Sequence, residues 1–229
     1  MVVLATKCYV DGDARDRAVD SLRSLLGNDL GDLDVEFDVG IRDDDFPSVT
    51  LSGADAPVAR NLLDERWGTI TPHFDVDERY VGTLEAWDEE GFVLDAGEPI
   101  RIPTDGIGLG RGTPAQIRTR FGLVQHVPLA FVYASDGDAD GPAAGRLADD
   151  QRDRLYDWTR GSGRVTVNSA TRAEVRATIN RAGHADDIVT VERLGLLEQS
   201  VVCTDGTDPP GLLASIGSYL PAELLAVVP

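Results

Sequence analysis

Lysine is almost missing from this sequence: of 21 basic residues only Lys7 is lysine, and the rest are arginine. Histidine is scarce too. His73, His126 and His184 lie in separate segments with no i, i+4 pair, so no metal-ligating or triad pattern is present. Cysteine is limited to Cys8 and Cys203. With no CxxC pair, neither a zinc site nor a disulfide framework is expected, and both thiols sit in apolar runs that read as buried free cysteines. No apolar run approaches the ~20 residues of a membrane span. The apolar start contains Lys7 and runs into Asp11, Asp13 and Asp16, which is not a signal peptide. The expectation is a cytoplasmic protein with no membrane association and no cofactor.

What the chain has in excess is acid. Forty Asp and Glu residues give 229 residues a formal net charge of -19, and they are spread along the chain rather than gathered in a tail. A hydrophobic content of 42% is too high for a disordered acidic chain. An evenly acidic surface with almost no lysine fits a protein of a high-salt cytoplasm, where molar salt screens carboxylate repulsion over only ~3 Å. In such a chain a low isoelectric point says little about partners, and the informative signal is a local departure from the acidic background.

The order of elements suggests an α+β fold with three domains. At 1–78 the pattern reads β-α-β-β-α-β: a strand at 2–10, and a helix capped by Asp13 with Val19, Leu22, Leu25 and Leu26 inward. Strands at 33–39 and 49–52 follow, then a helix capped by Asp55 with Val58, Leu62 and Leu63 inward, and a strand at 69–76. Residues 151–229 repeat this order, with Thr171 and Glu174 as a capping box and a last helix started by Asp208, Pro209 and Pro210. Two ferredoxin-like βαββαβ domains are therefore expected at the two ends. Between them, at 79–135, short strands, many glycines and a small helix capped by Thr113 point to a small β-barrel. Its first hairpin, Val81-Gly82-Thr83 and Gly91-Phe92-Val93-Leu94-Asp95, looks like an S1-type OB barrel. Residues 136–150 read as a flexible linker, with a helix from 147 to 158 leading into the last domain.

Several of these residues carry a family resemblance. The run 91–95, Ile102-Pro103, Gln116-Ile117, Phe121-Gly122-Leu123 and Pro128-Leu129, with the late segment Gly206-Thr207-Asp208-Pro209-Pro210-Gly211-Leu212, resembles an archaeal family catalogued as domain of unknown function 2110. The resemblance implies a haloarchaeal cytoplasmic protein and carries no activity and no catalytic residues.

Arginine distribution is the main functional signal. From 99 to 134, Arg101, Arg111, Arg118 and Arg120 face one acid, Asp105; from 158 to 185, five arginines, among them Arg164, Arg172 and Arg176, face only Glu174. Two positive islands in an acidic chain are where phosphates could dock, because the planar guanidinium pairs bidentately with them. The plainer reading is intramolecular pairing with nearby Asp. A second candidate is the segment 207–213. Thr207, Asp208, Gly211 and Leu212 resemble the ligand loop of ACT-type regulatory domains, but the same residues make a well-capped helix start. Gly106, Gly108, Gly110 and Gly112 lack the spacing of a dinucleotide fingerprint. No Ser-His-Asp order or nucleophile elbow occurs. The expected function is a non-catalytic binding protein of archaeal information processing, contacting RNA or a ribosome- or polymerase-type machine. An amino-acid-binding regulator and a protein–protein adaptor are the alternatives.

Overall fold

The computed structural model describes residues 1–135 and 143–229. The architecture is mixed α+β: a three-stranded sheet, a closed five-stranded barrel and a four-stranded sheet follow one another along the chain.

The first unit contains strand β1 (Val2–Val3), helix α1 (Gly12–Leu30), strands β2 (Glu36–Ile41) and β3 (Pro47–Ser52) and helix α2 (Ala56–Trp67). The antiparallel order is β1-β3-β2. Ala18, Leu22, Leu26 and Leu30 recur at helical spacing on α1 and are buried against Val2, Val39, Val49 and Leu63. Two expected strands shrink. The one at 2–10 ends at Val3, and the one at 69–76 is reduced to a single bridge, Thr69 to Leu4. Val58, expected inward, is exposed, and Ala59 takes its place in the core. Asp55 precedes α2 but spends its carboxylate on the backbone N–H of Asp34, 2.8 Å away, and caps nothing.

The barrel is built from β4 (Arg79–Asp88), β5 (Gly91–Asp95), β6 (Pro99–Pro103), β7 (Pro128–Ser135) and β8 (Ala143–Leu147), in the closed order β4-β5-β6-β8-β7. Every second residue points in: Phe92 and Leu94, Ile100 and Ile102, Phe131 and Tyr133 are all buried. Closure removes the free strand edges that such short strands would otherwise expose. The parallel pairing of β6 with β8 makes the closure, so residues 143–147, read from sequence as linker, form a barrel strand. Of the remainder of that segment, Asp149 and Asp150 open the helix Asp149–Trp158, and 136–142 lie outside the described residues. Helices α3 (Thr104–Ile107) and α4 (Pro114–Arg120) join β6 to β7. Thr113 and Gln116 cap α4 reciprocally. Gly122 ends it at φ +65°, and a Cβ there would stand 2.6 Å from Val227.

Helix α5 (Asp149–Trp158) leads to the last unit, which comprises β9 (Arg164–Val167), α6 (Arg172–Arg181), β10 (Ile188–Arg193), β11 (Gln199–Cys203), α7 (Pro209–Gly217) and β12 (Leu224–Val227). Its antiparallel sheet has the order β10-β11-β9-β12, which leaves β10 on an edge. Val165, Val167, Val191 and Val201 pack against Val175 and Ile179 of α6 and Ile216 of α7. The capping box of Thr171 and Glu174 forms as the sequence predicts.

The three units meet at one junction. The turn between β10 and β11 inserts Leu196 and Leu197 into the core of the first unit, worth roughly 1.5–3 kcal/mol per buried side chain. Beside it runs a polar chain. Lys7 reaches Asp95 at 2.7 Å and Glu85 at 3.1 Å; Glu85 holds His126 at 3.1 Å; the Tyr9 ring lies 3.9 Å from that of His126. Tyr9 Oη donates to Glu198 Oε1 at 2.7 Å and accepts from the Ser169 N–H. Burial pushes the Glu198 carboxyl up to about 8, so the folded protein holds its proton more tightly than a free carboxyl does. Burial also opposes the charge on Glu85, but His126, Thr83 and Lys7 outweigh it and hold that group down at about 2. Cys8 and Cys203 are buried free thiols, as the sequence suggests.

Candidate anion-binding groove

Strand alternation puts two kinds of residue on the two faces of the last sheet. Val165, Val191 and Val201 face the helices, while Arg164, Thr190, Glu192 and Ser200 face the other way. On that second face, α5 brings Trp158 and Arg154 alongside. Trp158 is buried because it closes the barrel core together with Leu155. Its indole carries two guanidinium groups, Arg164 at 4.6 Å and Arg154 at 5.5 Å from the ring centroid. Arg172, the first residue of α6, and Arg193, the last of β10, complete a groove of about 540 Å³. Its acids are Asp157 and Glu192, so the lining is net positive in a chain of charge -19.

The arginines of the groove are unevenly neutralised. Arg164 Nη1 donates to Glu192 and to Ser200, each at 3.0 Å, yet its Nε is buried with no partner among the described residues. Burial pulls its pKa down, partly offset by Glu192. The Nε of Arg172 is buried and unpartnered in the same way. Arg193 sits 5.7 Å over the Trp67 ring; burial and the repulsion of Arg172 both lower its pKa. Among the described residues, neither Arg154, Arg172 nor Arg193 has a carboxylate within 4.0 Å. Arg172 and Arg193 are half-buried and Arg154 is exposed, and an anion arriving beside them would meet guanidinium donors not already held by a carboxylate within 4.0 Å among the described residues.

The other predicted positions fare differently. Arg101 pairs with both carboxylate oxygens of Asp88, at 2.7 and 2.8 Å. Arg118 is buried, ion-paired with Glu223 and stacked 3.8 Å over Trp87, so it clamps α4 to the last unit. Arg120 donates to the carbonyl oxygens of Arg111 and Leu109, tying up the turn before α4, where Arg111 is exposed. Arg164 and Arg172 are brought together in the groove. Arg176 lies one turn beyond Arg172 on α6, exposed and outside the lining. In the 207–213 segment, Asp208 accepts from the Gly211 N–H at 3.1 Å, Thr207 donates to the Asp187 carbonyl and Leu212 is core. A Cβ at Gly211 would lie 2.6 Å from Asp208 Oδ2, so the glycine makes room for the cap.

Two groove residues escaped the sequence reading. Arg154 stands four residues before Trp158, a helical cation–aromatic spacing that could have flagged it. Arg193 falls outside both islands and gives no signal of its own.

Residues 1–73 match the N-terminal domain of DUF2110, residues 74–159 its central domain and residues 162–228 its C-terminal domain. The chain belongs to the DUF2110 family. The family's divisions follow the three structural units: the central domain ends just after α5, so this helix belongs with the barrel rather than with the last sheet. The C-terminal domain opens at residue 162, shortly before β9. No curated protein matches the chain.

Proposed function

We propose that this DUF2110 protein is a non-catalytic binding protein that docks RNA, or the RNA of a ribosome- or polymerase-type machine, in the arginine groove. The observation that carries the reading is the set Arg154, Arg172 and Arg193: guanidinium groups with no carboxylate within 4.0 Å among the described residues, gathered in one groove of a chain with 40 acids. Arginine not already held by a carboxylate is suited to bidentate phosphate binding, and the Trp158 indole of α5 carries the guanidiniums of Arg154 from the same helix and Arg164 from β9. The strand order β4-β5-β6-β8-β7, with helices between the third and fourth strands, supports an OB/S1-like barrel. The βαββαβ connectivity and the order β12-β9-β11-β10 favour a ferredoxin-like last domain, and the bridge from Thr69 to Leu4 favours the same for the first.

The test is single-strand RNA binding by Arg154→Glu with Arg172→Glu. We expect about a tenfold loss of affinity and a salt slope shallower by about 1.4, for two lost phosphate contacts. Unchanged affinity in a folded variant sinks the reading. The composition also fits a haloarchaeal cytoplasm. On that reading molar KCl raises the melting temperature by screening self-repulsion, and a protein equally stable in dilute buffer is not of that kind.

A further inference from the structure

Arg193 faces two cavities. One is the groove. The other, of about 310 Å³, lies at the junction, walled by Thr6, Asp29, Arg66 and Trp67 of the first unit, Pro128 of the barrel, and Arg193, Leu194 and Gly195 of the last. All three units contribute to it, so an occupant would touch each. Its size is at the lower end for small-ligand sites, well above a bare ion. The walls divide by chemistry. Arg66 and Arg193 are cationic, with Asp29, already paired to Arg66, as the acid of the lining. Trp67, Pro128 and Leu194 are apolar. Thr6 accepts the Leu196 N–H at 2.8 Å through its hydroxyl oxygen, which leaves the hydroxyl hydrogen to give.

Two guanidiniums, one of them shared with Asp29, and a hydroxyl beside an aromatic and aliphatic wall suit an anionic head with several acceptor oxygens on a partly apolar body. We propose that the junction cavity binds a phosphate monoester, with the phosphate between Arg193 and Arg66 and the remainder against Trp67 and Pro128. With Asp29 the lining carries a net charge of +1, and a monoester offers three acceptor oxygens to the Arg193 and Arg66 forks where a carboxylate offers two. The monoester has two sources, a free mononucleotide or the terminal phosphate of a strand whose body runs through the groove. The strand-end source rests on the RNA reading, through the shared Arg193; the mononucleotide source does not.

The experiment uses the full chain. Its probes are uridine 5′-monophosphate and two oligouridylates that differ only in a 5′-phosphate or a 5′-hydroxyl. We expect the monophosphate to raise the melting temperature. We expect the phosphorylated strand to bind about tenfold tighter than its hydroxyl twin, equivalent to about 1.4 kcal/mol. Arg193→Gln removes both effects. Arg66→Gln, at an exposed position, weakens both and serves where Arg193→Gln fails to fold. A response to the monophosphate without end discrimination identifies the free nucleotide as the source, and end discrimination alone identifies the strand. No thermal shift together with equal strand affinities overturns the site, while oligonucleotide binding in that result leaves the groove standing.

Discussion

The two arginine-rich stretches have similar charge and different fates. In the first, Arg101 is matched by Asp88, Arg118 by Glu223 and Trp87, and Arg120 by two backbone carbonyls. In the second, Arg164 shares Glu192, while Arg172, with Arg154 and Arg193 from neighbouring elements, has no carboxylate in reach among the described residues. Counting charge along a window cannot separate these cases. What separates them is whether the fold has already supplied the countercharge, since a satisfied ion pair has little left to give a ligand.

That contrast can be broken at several points. The largest effect is expected from Arg118→Ala. It strips a buried partner from Glu223, and because a third of the Glu223 side chain is exposed the cost is about 2–3 kcal/mol rather than the full buried-pair value. The melting temperature should fall by roughly 4–12 °C, with RNA affinity of the folded protein unchanged. A loss of affinity without loss of stability would make Arg118 a contact after all. Next, Arg154→Glu with Arg172→Glu should do the reverse: about tenfold weaker RNA binding with little change in melting temperature. A smaller effect is expected at the junction. Glu198 has its carboxyl raised to about 8, so the folded state holds its proton more tightly than the unfolded chain. Its contribution is fully present below about pH 4.5 and is lost as pH rises through about 8. Relative to Glu198→Gln, the parent should therefore lose stability between about pH 5 and pH 8, and parallel melting curves across that window count against a buried neutral carboxyl. Smallest of all, Arg101→Ala should leave both stability and RNA affinity unaltered, because its pair with Asp88 is exposed. Weaker RNA binding there would return the first stretch to the interface.

Much of the architecture could be read before the structure. Local signals carried it: the capping boxes Thr113 with Gln116 and Thr171 with Glu174, the helical spacing of Leu22 and Leu26, and the alternation of Phe92, Leu94, Ile100 and Ile102. The misreadings fell where local pattern yields to distant pairing. Residues 143–147 are rich in small residues and read as linker, yet β6 and β7 both need a partner there to close the barrel. Residues 4–10 are apolar enough for a strand, but Cys8 goes to the core of the first unit while Lys7 and Tyr9 make the ion pairs and hydrogen bonds of the junction, and none of the three pairs in a sheet. The same limit applied to the site. Arg164 and Arg172 were within reach of sequence because they fall in a charge island; Arg193 was not, since only the sheet edge brings it beside them.

By itself, then, the sequence determined the α+β element order, the central barrel, the acidic surface and the presence of surplus arginine, because propensity, periodicity and composition are properties of neighbouring residues. Tertiary structure alone decided which arginines are held by a carboxylate, that the single lysine is buried between Asp95 and Glu85, and that Arg193 faces both the groove and the junction cavity. The physical reason is that a countercharge acts over a few ångströms in space, and for Arg118 it comes from Glu223, 105 positions away along the chain.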